Sequence, residues 1–158
     1  MYFTKLKSVP KLIPILNKLR KENKKIVFTN GCFDILHKGH IKYLKDAKKC
    51  GDILVIGLNS DTSVRALKGK NRPIYPQSER AEVLSALDCV DYIVLFDEST
   101  PYQIIKKVSP DILVKGGDYT LGTIVGRRFV HSKGGRVITI PLVKGKSTSD
   151  IIKKINTK

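Results

Sequence analysis

Two rhythms of apolar residues run along this chain. From Ser8 to Asn23, the residues Val9, Leu12, Ile13, Leu16 and Leu19 recur at the spacing of one helix face. Ser8 stands where an N-cap belongs, and Pro10 falls in the first turn, where its missing amide is tolerated. Five later runs are continuous instead: Ile26-Val27-Phe28-Thr29, Ile53-Leu54-Val55-Ile56, Tyr92-Ile93-Val94-Leu95-Phe96, Ile112-Leu113-Val114 and Val137-Ile138-Thr139-Ile140. Unbroken β-branched runs of this length predict parallel strands covered on both faces. Helical patterns separate them at His40–Cys50, Asp61–Leu67, Gln77–Leu87, Pro101–Val108 and Ile124–Lys133, and a last helix is expected over Thr148–Ile155. Strands alternating with crossover helices predict one Rossmann-like, doubly wound α/β domain: an N-terminal helix over 1–24, then a core over 25–158 with about five mostly parallel strands and helices on both faces. The stretch Lys68–Pro76, rich in Gly, Pro and positive charge, is expected to be a mobile loop facing the substrate.

Length and composition fit that picture. The chain has 158 residues, 41% of them hydrophobic, enough for one core with two covered faces. Lys and Arg number 30 against 14 Asp and Glu, a net charge of +16 that favours polyanions: nucleic acid, an anionic membrane surface or nucleotide phosphates. Much of the excess is scattered, as at Lys18, Lys21, Lys48, Lys106 and Lys153, where helical spacing predicts solvated faces. Cys32, Cys50 and Cys89 are odd in number and lack CxxC spacing, which predicts buried free thiols in the cytoplasm. The run Leu12–Leu16 is short and interrupted by Pro14, so neither an export signal nor a membrane span is expected, and no membrane partner.

The binding crevice of an open parallel sheet lies beyond the carboxyl ends of its strands. Four distant segments fall there: Asn30 leading to His37 and His40, Asn59-Ser60-Asp61, Lys115 to Tyr119, and Ser147-Thr148-Ser149. His37 and His40, spaced i, i+3 at a helix start, face the same side, where free N–H groups and the positive dipole end attract phosphate. Fixed donors there stabilise the charge that gathers when a phosphate oxygen attacks the α-phosphorus of a nucleoside triphosphate. Gly39 lets the backbone come close to the nucleotide. Zinc has too few ligands, since His131 is the one further histidine, and no metal-ligand set is expected. Gly145-Lys146-Ser147-Thr148 ends like a Walker A motif, but Ile140 stands where that spacing requires glycine, and no GxGxxG occurs. The hydroxyls of Ser147, Thr148 and Ser149 are read instead as caps aimed at the β- or γ-phosphate. Lys68, Lys70, Arg72 and Arg80 are candidates to clamp the triphosphate. Lys115 and Asp118 are placed to point into the crevice, and Asp34 to order the histidine loop or hold a metal-bound water.

His37-Lys38-Gly39-His40 resembles the HxGH signature of the nucleotidyltransferase superfamily, which includes the cytidylyltransferases and class I aminoacyl-tRNA synthetases. A narrower likeness rests on Thr29-Asn30-Gly31-Cys32-Phe33-Asp34-Ile35-Leu36-His37, on Gly57-Leu58-Asn59-Ser60-Asp61, on Leu113-Val114-Lys115-Gly116-Gly117-Asp118-Tyr119, and on Ile140-Pro141-Leu142-Val143 with Gly145 and Ser147-Thr148. Together these are similar to the D-glycero-β-D-manno-heptose 1-phosphate adenylyltransferases. The resemblance implies transfer of AMP from ATP to a heptose 1-phosphate with Mg²⁺, pyrophosphate release, and a part in lipopolysaccharide core biosynthesis. It implies catalytic roles for His37, His40, Lys68 and Lys115. It also implies nucleotide contacts from Thr29, Asn30, Gly31, Cys32, Phe33, Asp34, Gly39, Asn59, Asp61, Arg80, Gly117, Asp118, Ser147, Thr148 and Ser149. Many relatives fuse this domain to a sugar kinase; with no room for one in 158 residues, a separate kinase and phosphatase are expected to supply the substrate.

Several positions depart from relatives. Leu142-Val143-Lys144-Gly145 replaces the Arg-Thr-Glu-Gly run of glycerol-3-phosphate cytidylyltransferases; Lys38 stands where proline is frequent, and Lys144 where an acidic residue is usual. The alternatives are cytidylyl transfer from CTP to a polyol phosphate and, from another class, a basic nucleic-acid-binding module. Against the module, the chain has no RNP-type aromatic motif and no Trp, so the expected partners are ATP and a sugar 1-phosphate, not nucleic acid. An apolar strip on the first helix or over Val125–Val130 is expected to serve a homo-oligomer, by family habit a dimer.

Overall fold

Each continuous apolar run becomes a strand whose alternate residues enter different cores. The computed structural model describes residues 4–157. Its elements run α1 (Val9–Lys21), β1 (Ile26–Gly31), α2 (Lys38–Lys48), β2 (Ile53–Asn59), α3 (Asp61–Lys68), α4 (Gln77–Ser85), β3 (Tyr92–Phe96), α5 (Tyr102–Val108), β4 (Ile112–Gly116), α6 (Arg127–Ser132), β5 (Arg136–Ile140) and α7 (Thr148–Asn156). The strands form one sheet in the order β3-β2-β1-β4-β5, every pair parallel. Val27, Leu54, Ile56, Ile93 and Val114 pack against Leu44, Ala47, Ala81 and Leu84 of α2 and α4. Ile26, Phe28, Val55, Val94 and Leu113 pack on the other face against Leu12, Leu16, Ile105, Val108 and Val130 of α1, α5 and α6. The period-two alternation of a strand explains why an unbroken apolar run was needed: both faces are inside. Gly57 belongs to the same packing, since a Cβ there would lie 2.5 Å from Cζ of Phe28.

Winding reverses between β1 and β4, which puts the crevice at Asn30-Gly31 and Lys115-Gly116. These two strands pair only at Val27–Ile112 and Phe28–Leu113, whereas β1 and β2 pair over six residues. Beyond that point the Tyr43 hydroxyl joins the two edges, bonded to Thr29 Oγ1 at 2.7 Å and donating to the Val114 carbonyl at 3.3 Å.

Several boundaries differ from the expected ones. Helix α2 starts at Lys38 rather than His40, because His37 itself is the N-cap. The helix expected over Ile124–Lys133 is a 3₁₀ turn (Leu121–Thr123) and then α6, separated at Gly126, whose φ of 87° is left-handed and whose absent Cβ leaves room for Ile105. Of the apolar strips expected to meet a second copy, Leu12, Leu16 and Val130 are fully buried in the core, whereas Val125 is 36% exposed. The three cysteines are free and half-buried rather than fully enclosed. Leu6 forms a parallel bridge with Ile93, flanked by bonds from the Lys7 amide and to the Lys5 carbonyl, so the open edge of β3 is covered.

Candidate functional site

The head of α2 is held by its two histidines. The Gly39 amide donates to His37 Nδ1 at 3.0 Å, and the His37 amide donates to His40 Nδ1 at 3.4 Å, a capping box built from imidazoles. The rings stack with centroids 3.9 Å apart and planes 28° apart, and Phe33 tilts against His40 at 5.4 Å. Burial first, and then the neighbouring His37, hold His40 down to about 4. Burial and the Lys146 ammonium lower His37 as well. Both imidazoles are therefore neutral at pH 7, and with each Nδ1 accepting a backbone amide, the hydrogen-bond network assigns the proton to Nε2. Gly39 is required for the arrangement, because a Cβ there would sit 2.8 Å from the His37 ring.

Across the crevice, Lys115 is 6% exposed, donates Nζ to Asn30 Oδ1, and lies 5.5 Å from the centre of the Tyr119 ring. Burial lowers its ammonium to about 8, with Asp118 acting the other way. At the start of α7, Ser147 caps the helix by accepting the Asp150 amide at 3.0 Å, and the Thr148 hydroxyl donates to the Ile35 carbonyl at 3.2 Å. That bond fixes α7 to the loop ahead of His37. Two helix N-termini thus open on one space, with Lys146 beside them.

The basic loop after α3 is fastened at Arg72, Ile74 and Tyr75. The Asp34 side chain, fully shielded from solvent, accepts from Arg72 Nε at 2.7 Å and from the Ile74 and Tyr75 amides at 2.9 and 3.0 Å. Burial alone would raise this carboxyl; the Tyr75, Ile74 and Arg72 donors outweigh it and hold Asp34 below the usual carboxylate range. Arg80, 2% exposed, secures the other side: Nε donates to the Tyr75 carbonyl, Nη1 to the Cys32 and Asn59 carbonyls, and Nη2 to Asp61 at 2.8 Å. A planar fork with several donors suits a junction of three segments. Between them stands Phe33 at a φ of 45°, a left-handed turn held by its surroundings.

These groups enclose a cavity of about 620 Å³. Of the residues expected from sequence, Asn30, Gly31, Cys32, Phe33, Asp34, His37, Gly39, His40, Asn59, Lys68, Lys115, Asp118, Ser147, Thr148 and Ser149 line it. Thr29, Asp61, Arg80 and Gly117 do not. Thr29 holds Tyr43; Asp61 and Arg80 pair with each other; Gly117 passes close behind the wall, its amide on the Ile140 carbonyl at 2.7 Å. Arg80 in particular has four bonds within the protein and is a positioning residue rather than a phosphate clamp. Tyr43, Leu67, Ser99, Thr100, Pro101, Tyr119 and Lys146 line the cavity without having been singled out as site residues. The signal for Tyr43 was present: it follows His40 by the same three residues that separate His40 from His37, so all three share a helix face. Among the described residues no group of three His, Cys, Asp or Glu side chains is arranged to hold a metal ion. Neutral imidazole donors, two helix ends and four cations around one space equip it to bind a polyphosphate and to stabilise charge on it.

A family model described as cytidylyltransferase-like matches residues 28–154. The bifunctional protein HldE of Citrifermentans bemidjiense is 55% identical over 152 residues, covering 96% of this chain and 31% of that protein. HldE of Syntrophotalea carbinolica is 54% identical over 154 residues, covering 98% and 31%. The chain therefore spans about a third of the length of these curated relatives. The crystal structure of a lipopolysaccharide core biosynthesis protein from Thermoplasma volcanium is 33% identical with a TM-score of 0.63, covering 78% of this chain and 99% of that one. Pantoate-beta-alanine ligase from Francisella tularensis has a TM-score of 0.64 at 17% identity, covering 97% of this chain and 79% of that one, a likeness of fold alone.

Proposed function

We propose, because this chain belongs to the cytidylyltransferase-like family, that its cavity transfers AMP from ATP to a heptose 1-phosphate and releases pyrophosphate. The observation that carries the reading is the convergence of both imidazoles with Lys115, Lys146 and Ser147 on one cavity. The choice of ATP and of a heptose is supported by the motif resemblance and by more than 50% identity to HldE proteins. A phosphate oxygen of the acceptor attacks the α-phosphorus; that bond forms as the bond from the α-phosphorus to the bridging oxygen breaks, and pyrophosphate departs. The Nε2 hydrogens of His37 and His40 meet the developing charge, and their low basicity keeps them donors without an added positive charge to bury. Lys115 and Lys146 add cationic stabilisation, and Lys68 and Arg72, which line the same cavity, are read as clamps on the triphosphate. Mg²⁺ is read as travelling with the triphosphate, which needs few protein ligands; Asp118 is the lining carboxylate that would hold it, since Asp34 is fully engaged by Arg72 and the loop amides. When bound, the ion would neutralise phosphate charge. Three free thiols support a cytoplasmic setting, and the family resemblance supports a homodimer.

The test is a pyrophosphate-release screen crossing four nucleoside triphosphates with several sugar 1-phosphates and glycerol 3-phosphate. ATP with heptose 1-phosphate is expected to give the highest kcat/KM. Faster turnover with CTP and glycerol 3-phosphate overturns the reading.

A further inference from the structure

The cavity accounts for few of the 30 Lys and Arg side chains, and the rest are unevenly placed. Helices α1, α5 and α6, which cover one face of the sheet, carry eight Lys and Arg and no Asp or Glu. Helices α2 and α4 on the opposite face carry five and three. None of the five ion pairs among the described residues lies in the α1–α5–α6 layer. Lys11, Lys18, Lys21, Lys106, Lys107 and Arg128 are exposed there, with no ion pair to an anionic side chain among the described residues. The layer is locked as one unit: Arg20 reaches from α1 to the Val108 and Ser109 carbonyls at the end of α5. Its apolar sides are committed to the core, so charged ends and long stems face outward. Tyr102, 40% exposed with the Lys106 ammonium 5.5 Å from its ring centre, is its one exposed large apolar residue.

We propose that the α1–α5–α6 layer docks the protein on a bilayer surface rich in anionic phospholipid. A layer of helices bearing one sign of charge is complementary to a plane of phosphates. A single exposed aromatic makes no stacking platform for single strands, which disfavours nucleic acid. No helix among the described residues is long and apolar enough to cross a membrane, and adsorption needs none.

Vesicle flotation of the full chain tests this, with phosphatidylglycerol in phosphatidylcholine set against phosphatidylcholine alone at physiological ionic strength. Two triple variants are compared: Lys18→Glu with Lys106→Glu and Arg128→Glu, and Lys42→Glu with Lys45→Glu and Lys49→Glu on the opposite face. Each basic side chain near such a surface contributes about fivefold in partitioning, so the first variant is expected to lose at least about tenfold and the second far less. Circular dichroism checks that both fold. Equal losses in the two variants would mean that only net charge matters and would overturn the proposal. So would equal binding to phosphatidylcholine alone, or full displacement from the vesicles by polyuridylate RNA.

Discussion

The rings of His37 and His40 stack at 3.9 Å because each is pinned by its Nδ1 to the backbone at the head of α2. Capping and chemistry are thus divided between the two nitrogens of one ring. His37→Asn keeps a cap acceptor and removes the Nε2 donor, so turnover is expected to fall about 10²–10³-fold with little change in Tm. His37→Ala loses both, adding about 1 kcal/mol of destabilisation. Steady-state kinetics and thermal melts on the pair separate the roles; equal kinetics for wild type and His37→Asn would remove the histidine from the mechanism.

Acid should act on stability through the same ring. His40 titrates at about 4 in the folded protein against 6.5 for the free side chain, so between those values the unfolded chain binds a proton that the folded chain does not. The contribution of His40 to stability is complete above pH 6.5 and is lost as pH falls towards 4. Denaturant melts across this window should show that slope, reduced in His40→Asn.

Lys115 predicts opposite trends on the alkaline side. Its ammonium is lowered from 10.5 to about 8, so kcat/KM should decline above pH 8 as the charge facing the phosphates disappears. Between 8 and 10.5 the unfolded chain binds the extra proton, and the Lys115 contribution to stability rises with pH. A pH–rate profile and melts over one buffer series would detect the divergence, and Lys115→Met should abolish both features.

Arg80→Lys keeps a charge and loses the fork. An ammonium cannot reach Tyr75, Cys32, Asn59 and Asp61 together, so buried carbonyls are left without donors and stability should fall by about 3 kcal/mol. Because Arg80 acts by placing the wall that carries Lys68 and Arg72, KM for ATP should rise more than KM for the acceptor. Urea melts and paired KM measurements check this.

The strands and the histidine motif were legible because both are local: continuous β-branched runs state two-sided burial, and i, i+3 spacing states a shared face. Arg80 was not, since one arginine close to a basic loop reads as a phosphate clamp until its four acceptors, three of them from distant segments, are in place. The loop around Pro73 reads as mobile from Gly, Pro and charge, yet its partner Asp34 lies 40 residues from Ile74. Leu6 carries no periodic signal among its lysine neighbours, so its place beside Ile93 was invisible.

Ile74 and Tyr75 show about half their surface to solvent while handing both amides to an enclosed carboxylate. In deuterated water, those amide hydrogens should therefore persist well beyond those of neighbouring Lys70 and Asn71. A segment that looks superficial by side-chain exposure would register in exchange experiments as interior.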